Sequence, residues 1–135
     1  MLTLTTHDTA FDRPDDATIA KVLASLDGGR NILATLGESA FTYVQAAGSV
    51  QSGFTLEYQE GSLERYYRSV RQDLRLGEAT EVFQRYAGGD TGWREAVQWE
   101  RVVFQPPSTS WSSTWAGMVT ILLLVVVALW LWLRR

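Results

Sequence analysis

Apolar residues first recur at helical spacing at Ile19, Val22, Leu23 and Leu26, three or four positions apart, behind Arg13-Pro14-Asp15-Asp16 and ahead of Gly28-Gly29. Proline near the first turn, acids where the helix dipole favours them and glycine at the end predict a helix over 15–27. The pattern then changes period. Four β-branched and aromatic runs, 31–36, 41–47, 54–59 and 63–68, are separated by glycine-bearing turns and predict an antiparallel meander. Helical spacing returns at Ala79, Val82, Phe83 and Tyr86 before Gly88-Gly89, which predicts a second helix over 77–87. A last strand is expected within 96–104, which holds Trp99, Val102 and Phe104, with Trp93 capping the core. A Thr-rich start before the first helix reads as a further short strand. The fold expected is α+β: a small antiparallel sheet of four to five strands with two helices on one face, its other face left for solvent or a partner, followed by one C-terminal transmembrane helix.

That last element rests on residues 116–133, apolar throughout except for Thr120. Eighteen residues at about 1.5 Å rise make about 27 Å of helix, close to the hydrocarbon thickness of a bilayer. Trp111 and Trp115 precede the run, Trp130 and Trp132 close it, and Arg134 and Arg135 follow. Indole rings favour the headgroup level and arginines reach lipid phosphates, so these six residues are the expected membrane interface. No ionisable side chain falls inside the run, which argues against a transport path or an axial haem ligand. The organisation read from the chain is a soluble domain over 1–104, a Pro/Ser-rich linker over 105–114, a membrane helix over 115–133 and a basic tail at 134–135. The six linker residues 105–110 reach at most about 20 Å at roughly 3.1 Å per residue. Met1 to Asp8 lacks a basic segment followed by an apolar one, so the expectation is a single-pass protein of the bacterial inner membrane with its domain in the cytoplasm.

The register of the central hairpin decides what the sheet's open face shows. A two-residue turn at Glu60-Gly61 sets Glu57 opposite Glu64, an unfavourable pair, whereas a three-residue loop sets it opposite Arg65. The second register is the expected one.

Charge and composition narrow the chemistry. The chain of 135 residues has no Cys and one His, which removes disulfides, thiolate catalysis and multi-His metal sites. Before residue 110 there are ten bases against fifteen acids, so no nucleic-acid partner is expected. Asp8, Asp12, Asp15 and Asp16 lack the spacing of a calcium loop and read as a capped helix start. Glu57 and Glu64 would make a carboxylate pair for acid–base work only with something nearby to orient a substrate. Neither diglycine opens a helix, so neither cradles phosphate. Arg65, Arg68, Arg71 and Arg75, with Tyr66 and Tyr67 among them, form the one local concentration of positive charge, a candidate contact for anionic headgroups or an acidic partner.

The residues Tyr43-Val-Gln45, Gly53-Phe-Thr-Leu-Glu-Tyr-Gln-Glu-Gly61, Tyr67, Glu81-x-Phe83-x-x-Tyr86-x-x-Gly89-Asp90-x-x-Trp93 and Trp99 resemble small bacterial proteins similar to immunity proteins of polymorphic-toxin systems. The resemblance spans about residues 15–104 and implies a compact α/β binder without catalytic residues; the apolar run at 116–133 departs from it. The chain therefore reads as a non-catalytic, membrane-anchored accessory subunit that docks on a larger membrane protein complex, photosynthetic or respiratory by analogy. The alternative is a membrane-tethered immunity-type protein that neutralises a toxin. No cofactor, metal or small-molecule substrate is expected in either case.

Overall fold

A computed structural model describes residues 1–105. They form a seven-stranded antiparallel sheet in the order β2-β1-β3-β4-β5-β6-β7, with two α-helices. The strands are β1 (Thr3–Thr5), β2 (Ala10–Asp12), β3 (Leu33–Ser39), β4 (Thr42–Ser49), β5 (Gly53–Glu60), β6 (Tyr66–Ser69) and β7 (Trp99–Arg101); the helices are α1 (Asp16–Ala24) and α2 (Leu76–Ala87).

This corrects the expected sheet of four to five strands, since seven are present. An N-terminal hairpin, β1 with β2, extends the sheet beyond β3, with Leu4 opposite both Phe11 and Leu36. Its strands are three residues each, too short for an alternating pattern to stand out in the sequence. Among the described residues no helix is long and apolar enough to cross a membrane. The span expected at 115–133 lies outside the described residues.

Side-chain alternation sorts the sheet into two faces. Leu4, Leu36, Val44 and Tyr58 form one cross-strand row, and Ala34, Ala46 and Leu56 the next; all are buried. Against this face pack Ile19, Val22 and Leu23 of α1 and Ala79, Val82 and Phe83 of α2 in one apolar cluster. α1 starts on Asp15, whose carboxylate accepts from Thr18 N at 2.7 Å, an N-cap. It stops three residues short of the expected end because Ser25 turns its hydroxyl onto Val22 O at 2.6 Å. At the β6–β7 side, Tyr58 stacks on Tyr67 with centroids 4.7 Å apart and meets Trp93 and Trp99 edge-on at 4.8 and 4.7 Å. Trp99 Nε1 donates to Arg94 O at 3.0 Å, tying β7 to the turn that follows α2.

The central hairpin takes neither register read from the sequence. Residues Leu63–Arg65 coil into one 3-10 turn, so β6 begins only at Tyr66, and Glu57 stands opposite Arg68. The opposite-charge pairing survives with a different arginine, three residues further along the chain.

Candidate functional site

The face of the sheet turned away from α1 and α2 carries the one extended arrangement of polar side chains among the described residues. Its central row, Thr35, Gln45, Glu57 and Arg68, runs across four strands in direct register. Thr35 Oγ1 donates to Gln45 Oε1 at 3.1 Å, and Gln45 Nε2 reaches Glu57 Oε2 at 3.5 Å. Arg68 Nε donates to Glu57 Oε1 at 3.0 Å, and Tyr66 OH donates to Oε2 at 2.6 Å. One carboxylate thus gathers three donors from the two strands that flank it. The Glu57 side chain is only 18% exposed and that of Arg68 38%, so the pair is partly shielded from solvent screening.

The next row is aromatic. Tyr43, Gln59 and Tyr66 are aligned on β4, β5 and β6, and the Tyr43 hydroxyl donates to Gln59 Oε1 at 3.2 Å. Burial raises the Tyr43 phenol above its ordinary pKa of 10.0, with the charge of Glu57 adding to the effect. Tyr66 is pushed up further, by burial first and then by its hydrogen bond to the Glu57 carboxylate, which an ionised phenolate could not donate. Phe104 closes the row, edge-on to Tyr66 with centroids 5.4 Å apart. Gln59 is 4% exposed and its Nε2 has no hydrogen-bond partner in the protein. On the other side of the central row the face becomes small and apolar, with Leu33, Ala47 and Thr55 aligned. An open depression of about 480 Å³ lies beside the belt, lined by Thr3, Thr5, Thr35, Gly37, Tyr43 and Gln45.

These groups are arranged to hold one another. The Glu57 carboxylate is committed to three donors, and each neighbouring hydroxyl points to an acceptor within the belt. A base for proton abstraction needs an acceptor free to receive the proton, and a nucleophile needs such a base beside it; Glu57 offers no unengaged oxygen. What the face presents is a flat, pre-ordered surface of aromatic, amide and guanidinium groups, the composition of a protein interface.

The arginine cluster read from the sequence does not converge. Arg68 faces the open side and binds Glu57; Arg65 lies in the 3-10 turn and pairs with Glu60 at 2.6 Å. Arg71 bridges Asp73 at 3.2 Å and Glu78 at 3.0 Å. Arg75 is the N-cap of α2, its backbone N–H donating to Glu78 Oε2 at 2.8 Å. Three of the four guanidiniums are thus matched by carboxylates, which removes the excess positive charge that the sequence suggested. Tyr66, the remaining member, belongs to the belt. Glu57 and Glu64 are not brought together, since the latter sits in the turn. Among the described residues no three carboxylate or imidazole groups converge on a metal position. Trp111, Trp115, Trp130, Trp132, Arg134 and Arg135, the expected membrane contacts, lie outside the described residues.

Sequence reading singled out Glu57, Arg68 and Tyr66 separately and missed Gln45, Gln59 and Thr35. The signal available was strand alternation: with β4 and β5 aligned, Tyr43 and Gln45 fall opposite Gln59 and Glu57.

Compared with protein-family models, curated proteins and solved structures, the chain matches none.

Proposed function

We propose that this protein is a non-catalytic docking module of a bacterial inner membrane, held there by the apolar segment 116–133 and binding the extramembrane surface of a larger membrane protein complex from the cytoplasmic side. The observation that carries the reading is the uncovered sheet face, whose Tyr43, Gln45, Glu57, Tyr66 and Arg68 side chains are fixed by mutual hydrogen bonds. Side chains already ordered lose little further entropy on association, and tyrosine and arginine carry much of the energy of protein interfaces. Tethering to a membrane raises the local concentration of any partner in the same membrane and lowers the affinity the face itself must supply.

The test is extraction of the full-length chain from its source membranes in mild detergent, followed by mass spectrometry of the stoichiometric partner. Ala47 is exposed on the open face, so Ala47→Arg blocks docking without touching the core. The reading expects subunits of one membrane complex, lost with Ala47→Arg and retained with Val50→Arg in the β4–β5 turn. A chain that stays soluble without detergent, or that keeps its partner in the Ala47→Arg variant, overturns it. A secreted toxin as the bound partner would replace the complex with the immunity-type alternative.

A further inference from the structure

Large apolar side chains exposed on the domain are not scattered evenly. Of the eight, Met1, Phe41, Leu63, Val103 and Phe104 sit at one end of the sheet, and only Ile32, Val50 and Val70 at the other. The topology places them. The β3–β4 turn carries Phe41, whose carbonyl accepts from Gly61 N at 2.7 Å, which sets it beside the β5–β6 connection that carries Leu63. Beyond β7, Val102 N donates to Tyr66 O at 2.9 Å, so Val103 and Phe104 emerge at the same end, and Leu63 shares one surface depression with them. All five of these side chains are more than half exposed, Phe41 at 60%, Leu63 at 58%, Val103 at 69% and Phe104 at 56% among them.

We propose that this end of the domain is a lipid-contacting tip, with Phe41, Leu63, Val103 and Phe104 seated in the headgroup layer of the bilayer. The inference rests on the membrane-held reading above. Three features favour lipid over a protein partner. The side chains stand on separate turns and on the exit strand, and the depression that joins Leu63 to Val103 and Phe104 does not take in Phe41. The charges among them leave only a small net excess, with Glu60 paired to both Arg65 and Arg94 and Arg101 Nε donating to the Glu64 backbone carbonyl at 2.7 Å, so apolar partition more than a net field is what draws the tip. Finally, the chain leaves the sheet here. Residues 105–115 span at most about 40 Å even fully extended, and they lead from Phe104 to the apolar run beginning at Ala116. Along the chain, Val103 and Phe104 are the large apolar side chains of the domain nearest to that run.

The absence of cysteine makes the test direct. Phe41→Cys, Leu63→Cys and Val103→Cys in the full chain, each labelled with an environment-sensitive fluorophore, are compared with Ile32→Cys, Val50→Cys and Val70→Cys from the opposite end. All six positions are exposed, so the fold tolerates the labels. The chains are reconstituted in phosphatidylethanolamine–phosphatidylglycerol vesicles with shallow lipid-borne nitroxide quenchers, and flotation is checked for each. Quenching at least twice as strong at 41, 63 and 103 as at 32, 50 and 70 supports the tip. Equal quenching at both ends in a chain that floats overturns the tip and leaves the membrane-held reading standing; a chain that does not float overturns both.

Discussion

Glu57 on β5 and Arg68 on β6 stand directly opposite each other on the open face, joined by a 3.0 Å charge-assisted hydrogen bond. Tyr66 OH donates to the same carboxylate at 2.6 Å. Removing the acceptor leaves three donors stranded, whereas removing one donor leaves the carboxylate the other two, so the two truncations should differ. Glu57→Ala is expected to cost about 2 kcal/mol and Arg68→Ala about 1 kcal/mol, since the hydrogen bonds involve a charged but partly solvated group. Chemical denaturation checks the order, and equal losses would show that the pair is not the centre of the belt.

Gln59 presents the opposite situation. Its Nε2 is buried without a partner, while its Oε1 serves only the Tyr43 hydroxyl. An unmet donor costs about 1–3 kcal/mol, and the half-buried Tyr43 hydroxyl can turn to water once its acceptor is gone. Gln59→Met is therefore expected to leave stability unchanged or raise it by up to about 1 kcal/mol. A loss of melting temperature comparable to that of Glu57→Ala would mean that the amide does finds a partner, such as a bound water, in solution.

Local periodicity carried the helices and the long strands, because Ile19, Val22 and Leu23, and then Ala79, Val82 and Phe83, repeat at helical spacing and bury one stripe. What it did not carry were features decided across the chain. The β1–β2 hairpin has one buried residue, Leu4, too little for a pattern. The register of β6 turns on a 3-10 turn at Leu63–Arg65 in a segment whose Leu, Tyr and Arg content suits a strand equally well. The belt suffered most. Thr35, Gln45, Glu57 and Arg68 are separated by ten or more residues along the chain and become neighbours only through strand pairing, whereas four arginines close in sequence looked like a patch until three of them met carboxylates.

Acid should weaken the fold through its capping carboxylates. Glu78 is held below its ordinary 4.5 mainly by the Arg75 backbone N–H, Asp15 below 3.8 by Thr18, and Asp27 below 3.8 by the N–H groups of Gly29 and Asn31. A carboxylate whose pKa is lower folded than unfolded contributes stability that is complete above the unfolded value and is lost as the pH falls through the folded one. The melting temperature is thus expected to hold near neutrality and fall below pH 4.5. Glu78→Gln should flatten the upper part of that fall; an unchanged acid limb in this variant would remove the α2 cap as its source.

Alkali acts through the belt. The Tyr66 phenol is raised above its ordinary 10.0 by burial and by the Glu57 carboxylate it donates to. A group that holds its proton more tightly when folded contributes stability that is complete below pH 10.0 and declines as the pH rises further, because the unfolded chain releases the proton first. Ultraviolet difference titration should show one tyrosine ionising later than the rest in the folded protein, absent in Tyr66→Phe and shifted towards the others in Glu57→Gln. A late phenol that persists in Tyr66→Phe would move the assignment elsewhere, with Tyr43, Tyr58 and Tyr86, also raised by burial, as the alternatives.

The β4–β5 hairpin sets the register on which the belt depends, and two glycines let it close. Gly48 has φ +125°, and a Cβ there would lie 2.1 Å from the Gly53 carbonyl oxygen. Gly53 has φ +84°, with a Cβ 2.7 Å from Asp73 Cα, because Phe54 and Leu74 exchange backbone hydrogen bonds at 2.9 and 3.0 Å and draw residue 73 against the strand. Both contacts are to backbone, which has no rotamer to yield. Gly61 has a similar φ of +83° but open space around it. Gly61→Ala therefore carries only the left-handed backbone penalty, about 1–2 kcal/mol, while Gly48→Ala adds a clash and should cost about 3 kcal/mol or more. Because the strand alignment is at stake, Gly48→Ala should also lower the late tyrosine titration towards the ordinary range, a change that Gly61→Ala does not produce. Equal melting temperatures for the two variants would mean that the hairpin closes without the contact at Gly48.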